Sequence, residues 1–175
     1  YQNLYAYDGI LKALIDTKID DNNSVDAIVS ITENEKPIRF QAGLGASSNE
    51  GLMASLGLKH RNLYGNLKTL NFQTRVTEIK QTVKTNFDMQ LLNKNTFGVE
   101  LGFESEAFEG FKENRFFGKI YLNQRFTPTS MKESLFFDNV HTYESEDKQE
   151  FPEGTLFVLS PKFEWSYDTR DKILD

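Results

Sequence analysis

An alternation of apolar and polar side chains runs through most of this chain, and nothing else in it restricts the fold as strongly. From Phe97 the odd positions are Phe97, Val99, Leu101 and Phe103, with Gly98, Glu100, Gly102 and Glu104 between them. From Val83 the odd positions are Val83, Thr85, Phe87, Met89 and Leu91, against Lys84, Asn86, Asp88 and Gln90. A period of two is the signature of a β-strand that separates an apolar medium from a polar one. Long strands with an unbroken apolar face and a charged opposite face predict the wall of a transmembrane β-barrel.

Composition agrees. Only 38% of the 175 residues are hydrophobic, and no apolar run approaches the roughly 18 residues of a membrane helix. A barrel escapes that test because only alternate residues meet lipid. Fifteen Phe and seven Tyr suit a wall with aromatic girdles. A Phe-rich soluble sandwich or ligand-binding barrel gives the same alternation and is the alternative reading. The net charge of -6, with scattered Lys and Arg, argues against nucleic acid as a partner. With no cysteine, disulfides and thiolate metal sites are excluded. The chain begins at Tyr1 with neither an initiator Met nor a signal peptide, so it is expected to be part of a longer protein.

Two segments near the start, 13–20 and 25–31, flank the polar turn cluster 21–24 and predict a hairpin. Val25, Ala27, Val29 and Ile31 share one face of it, and Pro37 ends the unit. Eight further strands are expected. They comprise 38–47, 52–60, 67–77, the two alternating segments from Val83 and Phe97, 115–126, 133–144 and 155–168. The seventh alternates poorly, because Phe136 and Phe137 are adjacent. In the eighth, Pro161 suggests a bulge. The expected loops at one end are 48–51, 78–80, 105–114 and 145–154, and at the other 61–66, 92–95 and 127–130. The two longest share one end, as in outer-membrane barrels.

No catalytic constellation stands out. His60 and His141 lack metal-ligand neighbours, Glu100 and Glu104 read as lumen residues, and the acidic run 144–147 lacks calcium-loop spacing. No enzyme activity and no cofactor or metal is expected.

Three stretches resemble one family. Ile38-Arg39-Phe40-Gln41-Ala42-Gly43-Leu44-Gly45-Ala46-Ser47-Ser48-Asn49-Glu50-Gly51 resembles the first barrel strand and turn of the BamA/TamA-type surface-antigen superfamily of Gram-negative outer membranes. His60-Arg61-Asn62-Leu63-Tyr64-Gly65-Asn66 is similar to the turn after its second strand, with Asn66-Leu67 where a glycine is common nearby. Ser166-Tyr167-Asp168-Thr169-Arg170-Asp171-Lys172-Ile173-Leu174-Asp175 resembles a later strand end of the same family.

The resemblance implies a domain plan: 1–37 as the C-terminal part of a periplasmic POTRA domain and 38–175 as the N-terminal half of a 16-stranded barrel. It implies an outer-membrane protein that assembles, inserts or translocates other outer-membrane proteins. Two-partner secretion and a patatin-fused barrel are neighbouring possibilities. The implied partners are membrane lipids, client outer-membrane or autotransporter proteins, and a periplasmic or inner-membrane partner of the POTRA domains. It makes Phe40, Gln41, Ala42, Gly43, Leu44, Gly45, Ala46 and Ser47 a lateral-gate strand. Arg61, Asn62, Gly65, Tyr167, Asp168, Arg170 and Asp171 would be family-motif positions.

Overall fold

The computed structural model of the protein describes residues 10–19, 25–33, 37–64, 67–91, 95–126 and 128–168. Ten strands account for nearly all of them, and no helix occurs among the described residues. The first two, β1 (Ile10–Ile19) and β2 (Val25–Glu33), form an antiparallel hairpin. Its ladder pairs Ala13 with Ile31, Ile15 with Val29 and Thr17 with Ala27, which brings the expected apolar residues onto one face. The expected turn at 21–24 lies outside the described residues.

The remaining strands form one antiparallel up-and-down sheet in chain order. They are β3 (Ile38–Ser47), β4 (Gly51–His60), β5 (Thr69–Thr77), β6 (Lys80–Gln90), β7 (Thr96–Phe108), β8 (Phe111–Phe126), β9 (Thr129–Tyr143) and β10 (Gly154–Tyr167). The sheet is open, with β3 and β10 at its two edges. This is an all-β antiparallel architecture of the partial-barrel kind, preceded by a separate hairpin.

Directly paired residues share a face, so the register assigns every side chain. One face carries Phe40, Leu58, Phe72, Thr85, Leu101, Gly118, Phe137 and Leu159, each beside its ladder neighbour. The other carries Gln41, Gly57, Gln73, Lys84, Gly102, Phe117, Asp138 and Val158. The first face is mainly apolar and the second mainly polar, as the alternation predicts.

Several boundaries differ from expectation. The segment 105–114 is not a loop: β7 and β8 continue until Phe108 pairs with Phe111 across a two-residue turn. Glu106 and Glu113 are polar-face side chains of paired strands, which sequence alone cannot separate from loop residues. Gly110, at φ 94°, closes the turn in a conformation that side chains rarely adopt. The expected loop 127–130 is likewise only a short turn, and β9 begins at Thr129.

These changes weaken the loop asymmetry. The longest connection, 144–153, stays at the expected end, but the next longest, 61–68, lies at the other. Pro161 makes no bulge, since the β9–β10 register runs through it without a shift. An edge strand tolerates the missing N–H.

The poor alternation of β9 also has a physical reason. Phe136 turns to the polar face, where the Lys119 ammonium lies 5.6 Å from its ring, while Phe137 turns to the apolar face over Gly118. Aromatic rings fill glycine positions on both faces. Tyr121 lies over Gly98 and Phe117 over Gly102, so a side chain at either glycine would meet the ring. Cross-strand rings of this kind restore the packing that glycine lacks. Gly102→Val is therefore expected to lower stability by about 1–3 kcal/mol through overpacking. Adding Phe117→Ala should recover part of that loss in a double-mutant urea titration, and additive effects would show that the ring does not fill the glycine.

Candidate functional site

β3 shows how a strand can be held almost entirely by its backbone. All ten of its residues pair with β4, from Ile38 with His60 to Ser47 with Gly51. Its other edge has no ladder partner among the described residues. On the apolar face stand Phe40, Ala42, Leu44 and Ala46. Phe40 and Leu44 are 65% and 91% exposed.

On the polar face Gln41, Gly43, Gly45 and Ser47 offer little to pack. A Cβ at Gly43 would lie 2.8 Å from Ser55 Oγ, and one at Gly45 would lie 3.2 Å from Met53. Small side chains let β3 and β4 lie close and leave space above them. A concavity of roughly 550 Å³ opens there, lined by Gln41, Gly43, Ser55, Gly57, Arg75 and Lys84 among others.

Polar anchors hold the turn at one end of this hairpin. Glu50, in the 48–50 turn, accepts a 2.6 Å ion pair from Arg75 of β5. Glu78 Oε1 accepts a 3.0 Å hydrogen bond from the Leu52 N–H, and the Glu78 N–H donates to the Glu50 carbonyl at 3.2 Å. At the opposite end the Arg61 N–H donates to the Pro37 carbonyl at 2.7 Å, which places the 61–68 turn beside the start of β3. Asn62 takes a positive φ of 59°, and its Oδ1 accepts the Leu67 N–H at 2.9 Å. Leu67 itself has φ 56°, a backbone that favours glycine.

Tyr167 ends β10, and the following Asp168 N–H donates to the Pro128 carbonyl at 3.0 Å. Thus Arg61, Asn62, Tyr167 and Asp168 lie at the same end of the sheet as the start of β3. Tyr167 and Asp168 belong to the far edge, so the structure does not bring them to β3. Gly65, Arg170 and Asp171 lie outside the described residues.

The polar face of β6–β9 is built in the opposite manner. Along β7, Gly98 faces Tyr121, Glu100 faces Lys119, Gly102 faces Phe117 and Glu104 faces Arg115 of β8. Glycine meets ring and acid meets base. The ion pairs spread beyond this seam. Lys80 Nζ lies 2.8 Å from both Glu104 and Glu106, and Lys119 Nζ is 3.5 Å from Glu100.

Arg115 makes a two-toothed contact with Asp138, Nε at 2.9 Å and Nη2 at 2.5 Å, while its guanidinium sits 5.2 Å from the Phe117 ring. Tyr121 donates to Asp88 and accepts from Asn86. Sequence reasoning placed Glu100 and Glu104 on this face but missed their partners. The spacing Gly-x-Glu-x-Gly-x-Glu opposite Arg-x-Phe-x-Lys-x-Tyr was the available signal. Among the described residues no group of three or more His, Cys, Asp and Glu comes together to hold a metal ion.

Comparisons place this geometry in context. The chain is similar in structure to BamA from Haemophilus ducreyi, in a crystal structure lacking POTRA domains 1–3. The TM-score is 0.71 at 15% identity, over 98% of this chain and 38% of that one. The chain therefore spans well under half of the BamA chain it matches. At that identity the likeness shows a shared fold: the open sheet has the architecture of part of a BamA barrel. No protein-family model and no curated relative matches.

The 144–153 connection folds back on the end of the β7–β8 hairpin. Phe151 stacks on Phe111 at 4.8 Å, and Phe111 on Phe108 at 4.8 Å. The Glu146 N–H donates to the Gly110 carbonyl at 2.8 Å. Within the loop, the Lys148 ammonium at 2.9 Å and the Ser145 N–H at 3.2 Å hold the Glu153 carboxyl below its ordinary range. A depressed carboxyl stabilises the loop above its unfolded pKa, and the effect disappears as pH falls through the folded value. The loop's amide protection, corrected for the intrinsic pH dependence of exchange, should therefore be full at neutral pH and fall as the Glu153 carboxylate is protonated. Glu153→Gln should remove that pH dependence in hydrogen-exchange measurements, and an unchanged profile would show that Glu153 does not tie the loop.

Proposed function

We propose that this chain contributes the first eight strands of an outer-membrane barrel that assembles or inserts other outer-membrane proteins through a lateral seam at β3. The observation that carries the reading is the contrast between the two ends of one sheet. β6–β9 are cross-linked on the polar face by rings and ion pairs, whereas β3 has two glycines there and an open edge.

The apolar face supports the membrane setting. Its length from Thr155, paired with His141, to Trp165 is ten residue steps along β10. At about 3.3 Å per residue and a tilt of about 40°, that spans about 25 Å, the height of a barrel's apolar band. His141 stacks near Tyr143 at one border, and Trp165 near Tyr167 at the other. Amphipathic rings suit such borders.

In this reading residues 1–37 are the end of a periplasmic POTRA domain and 38–175 belong to the barrel. The partners are outer-membrane lipids, client outer-membrane or autotransporter proteins, and a periplasmic or inner-membrane protein met through POTRA domains. The assembly role is closer to TamA than to a secretion pore, and it contains no catalytic step. An unzipped β3 presents backbone donors and acceptors to an incoming client strand by β-augmentation. β3 suits this because small residues contribute little cross-strand packing.

A cysteine at Gln41 paired with one in the closing strand of the full-length protein tests the seam. Gln41 is the better site, because a side chain at Gly43 crowds Ser55. Oxidation should stop client assembly and reductant should restore it. Full activity with the disulfide closed would leave β3 as a plain structural strand.

The membrane setting has its own test. Leu101 lies on the apolar face between Thr85 and Gly118. Leu101→Lys should destabilise the inserted protein by about 2–4 kcal/mol, and Glu100→Gln on the polar face by under about 1 kcal/mol. The reverse order, measured by urea unfolding from vesicles, would invert the faces and favour a soluble ligand-binding barrel.

A further inference from the structure

The apolar face of the sheet carries a single acidic side chain among the described residues. Glu133 of β9 pairs with Leu122 of β8 and Phe163 of β10, so it shares their face. Its same-face neighbours along β9 are Met131 and Leu135. The other charged residue of this face, Lys112, sits at the far end of β8 and is matched by Glu144 at 2.5 Å.

Glu133 has no such match. Its side chain makes no ion pair or hydrogen bond with any described residue. The nearby lysines serve the opposite face. Lys132 Nζ lies 5.4 Å from the Tyr121 ring, and Lys162 Nζ pairs with Glu164 at 3.0 Å.

The surface around Glu133 forms an open groove of roughly 740 Å³, lined mainly by Phe97, Ile120, Leu122, Leu135 and Phe163, with Lys162, whose ammonium is taken by Glu164, also bordering it. Four consecutively paired strands, β7–β10, form its floor, so whatever pairs with the open edge of β10 does not build it. Trp165 pairs with Met131, one pleat repeat nearer the strand end, about 7 Å from the Glu133 level. Tryptophan at such a level marks the zone of lipid headgroups. An apolar groove running past an unmatched carboxylate one pleat repeat inside that border selects one chemistry: an acyl chain joined to a cationic headgroup that reaches down to it.

We propose that the β7–β10 groove is a lipid-binding site. An acyl chain lies against Leu122, Leu135 and Phe163, and the primary ammonium of an ethanolamine phospholipid pairs with Glu133. The inference rests on the reading of this face as lipid-facing. A choline headgroup fits less well, since its quaternary nitrogen has no N–H to donate to the carboxylate. A glycerol headgroup leaves the lipid anionic beside Glu133.

The test uses the full-length protein, purified in detergent and exposed to vesicles of equal phosphatidylethanolamine, phosphatidylglycerol and phosphatidylcholine with identical acyl chains. Lipids retained after gel filtration are counted by mass spectrometry. The wild type should enrich the ethanolamine lipid over the glycerol lipid by about two- to five-fold, the scale of one exposed ion pair. Glu133→Gln should bring that ratio close to one, and Glu133→Lys should invert it. Glu164→Gln, on the polar face, should leave it unchanged.

Heat-modifiable migration on gels confirms that each variant compared is folded. Equal enrichment in wild type and Glu133→Gln would overturn the site, as would an equal loss in Glu164→Gln. Retention of lipid with no headgroup preference in the wild type overturns this inference alone. Retention of no phospholipid would overturn the membrane reading beneath it.

Discussion

Backbone pairing is the constraint on which the rest of this structure depends. From β3 to β10 each interior strand is bonded to two neighbours, and the registers between the large strands run without a shift. Water is absent from a bilayer's core, so backbone groups exposed there must find partners in protein. A continuous ladder meets that demand for β4 to β9. It leaves the outer edges of β3 and β10, and a membrane setting requires both to be matched by further strands. The functional reading is a statement about one of these edges: the β3 edge exchanges its partner, and the rest of the sheet stays fixed.

The two halves of the polar face carry the proposal that exchange falls on β3. Lys80 joins β6 to β7, Lys119 joins β8 to β7, and Arg115 joins β8 to β9. Each exposed or half-exposed pair contributes little alone, about 0–1 kcal/mol. Their effect is collective, because rings over Gly98 and Gly102 pack between the charges and hold the side chains in place. The Phe108–Phe111–Phe151 stack extends this order into the turn end of β7–β8. The strands β6 to β9 thus carry side-chain cross-links on their polar face that β3 lacks.

Much of this was legible in the residues, because period-two alternation is a local property that the sheet preserves. Phe97, Val99, Leu101 and Phe103 do share a face, and so do Phe40, Ala42, Leu44 and Ala46. Illegible features were those that depend on which residue lies across the ladder. Nothing local marks Glu106 as a strand residue rather than a loop acid; Lys80 beside it and the turn beyond Phe108 decide that. Phe136 and Phe137 break the alternation in one dimension and fit in two, because Lys119 and Gly118 lie opposite them on different faces. Glu133 was hidden for the same reason, since its face is assigned only by Leu122 and Phe163.

The balance of forces on β3 follows from what its side chains omit. Ten backbone pairs with β4 hold it, yet Gly43 and Gly45 contribute no side-chain pair on the polar face. Cross-strand pairs are worth roughly 0.2–1 kcal/mol each, so two missing pairs remove a noticeable part of what resists separation. The backbone bonds themselves are exchangeable: a client strand offers the same donors and acceptors as the strand it displaces. Exchange at β3 then costs little in hydrogen bonds, whereas exchange at β7 would also break rings and ion pairs that a client cannot replace. In the proposed seam, strand choice is set by side chains through their absence, and the concavity beside Gly43, Ser55 and Gly57 is the space that absence leaves.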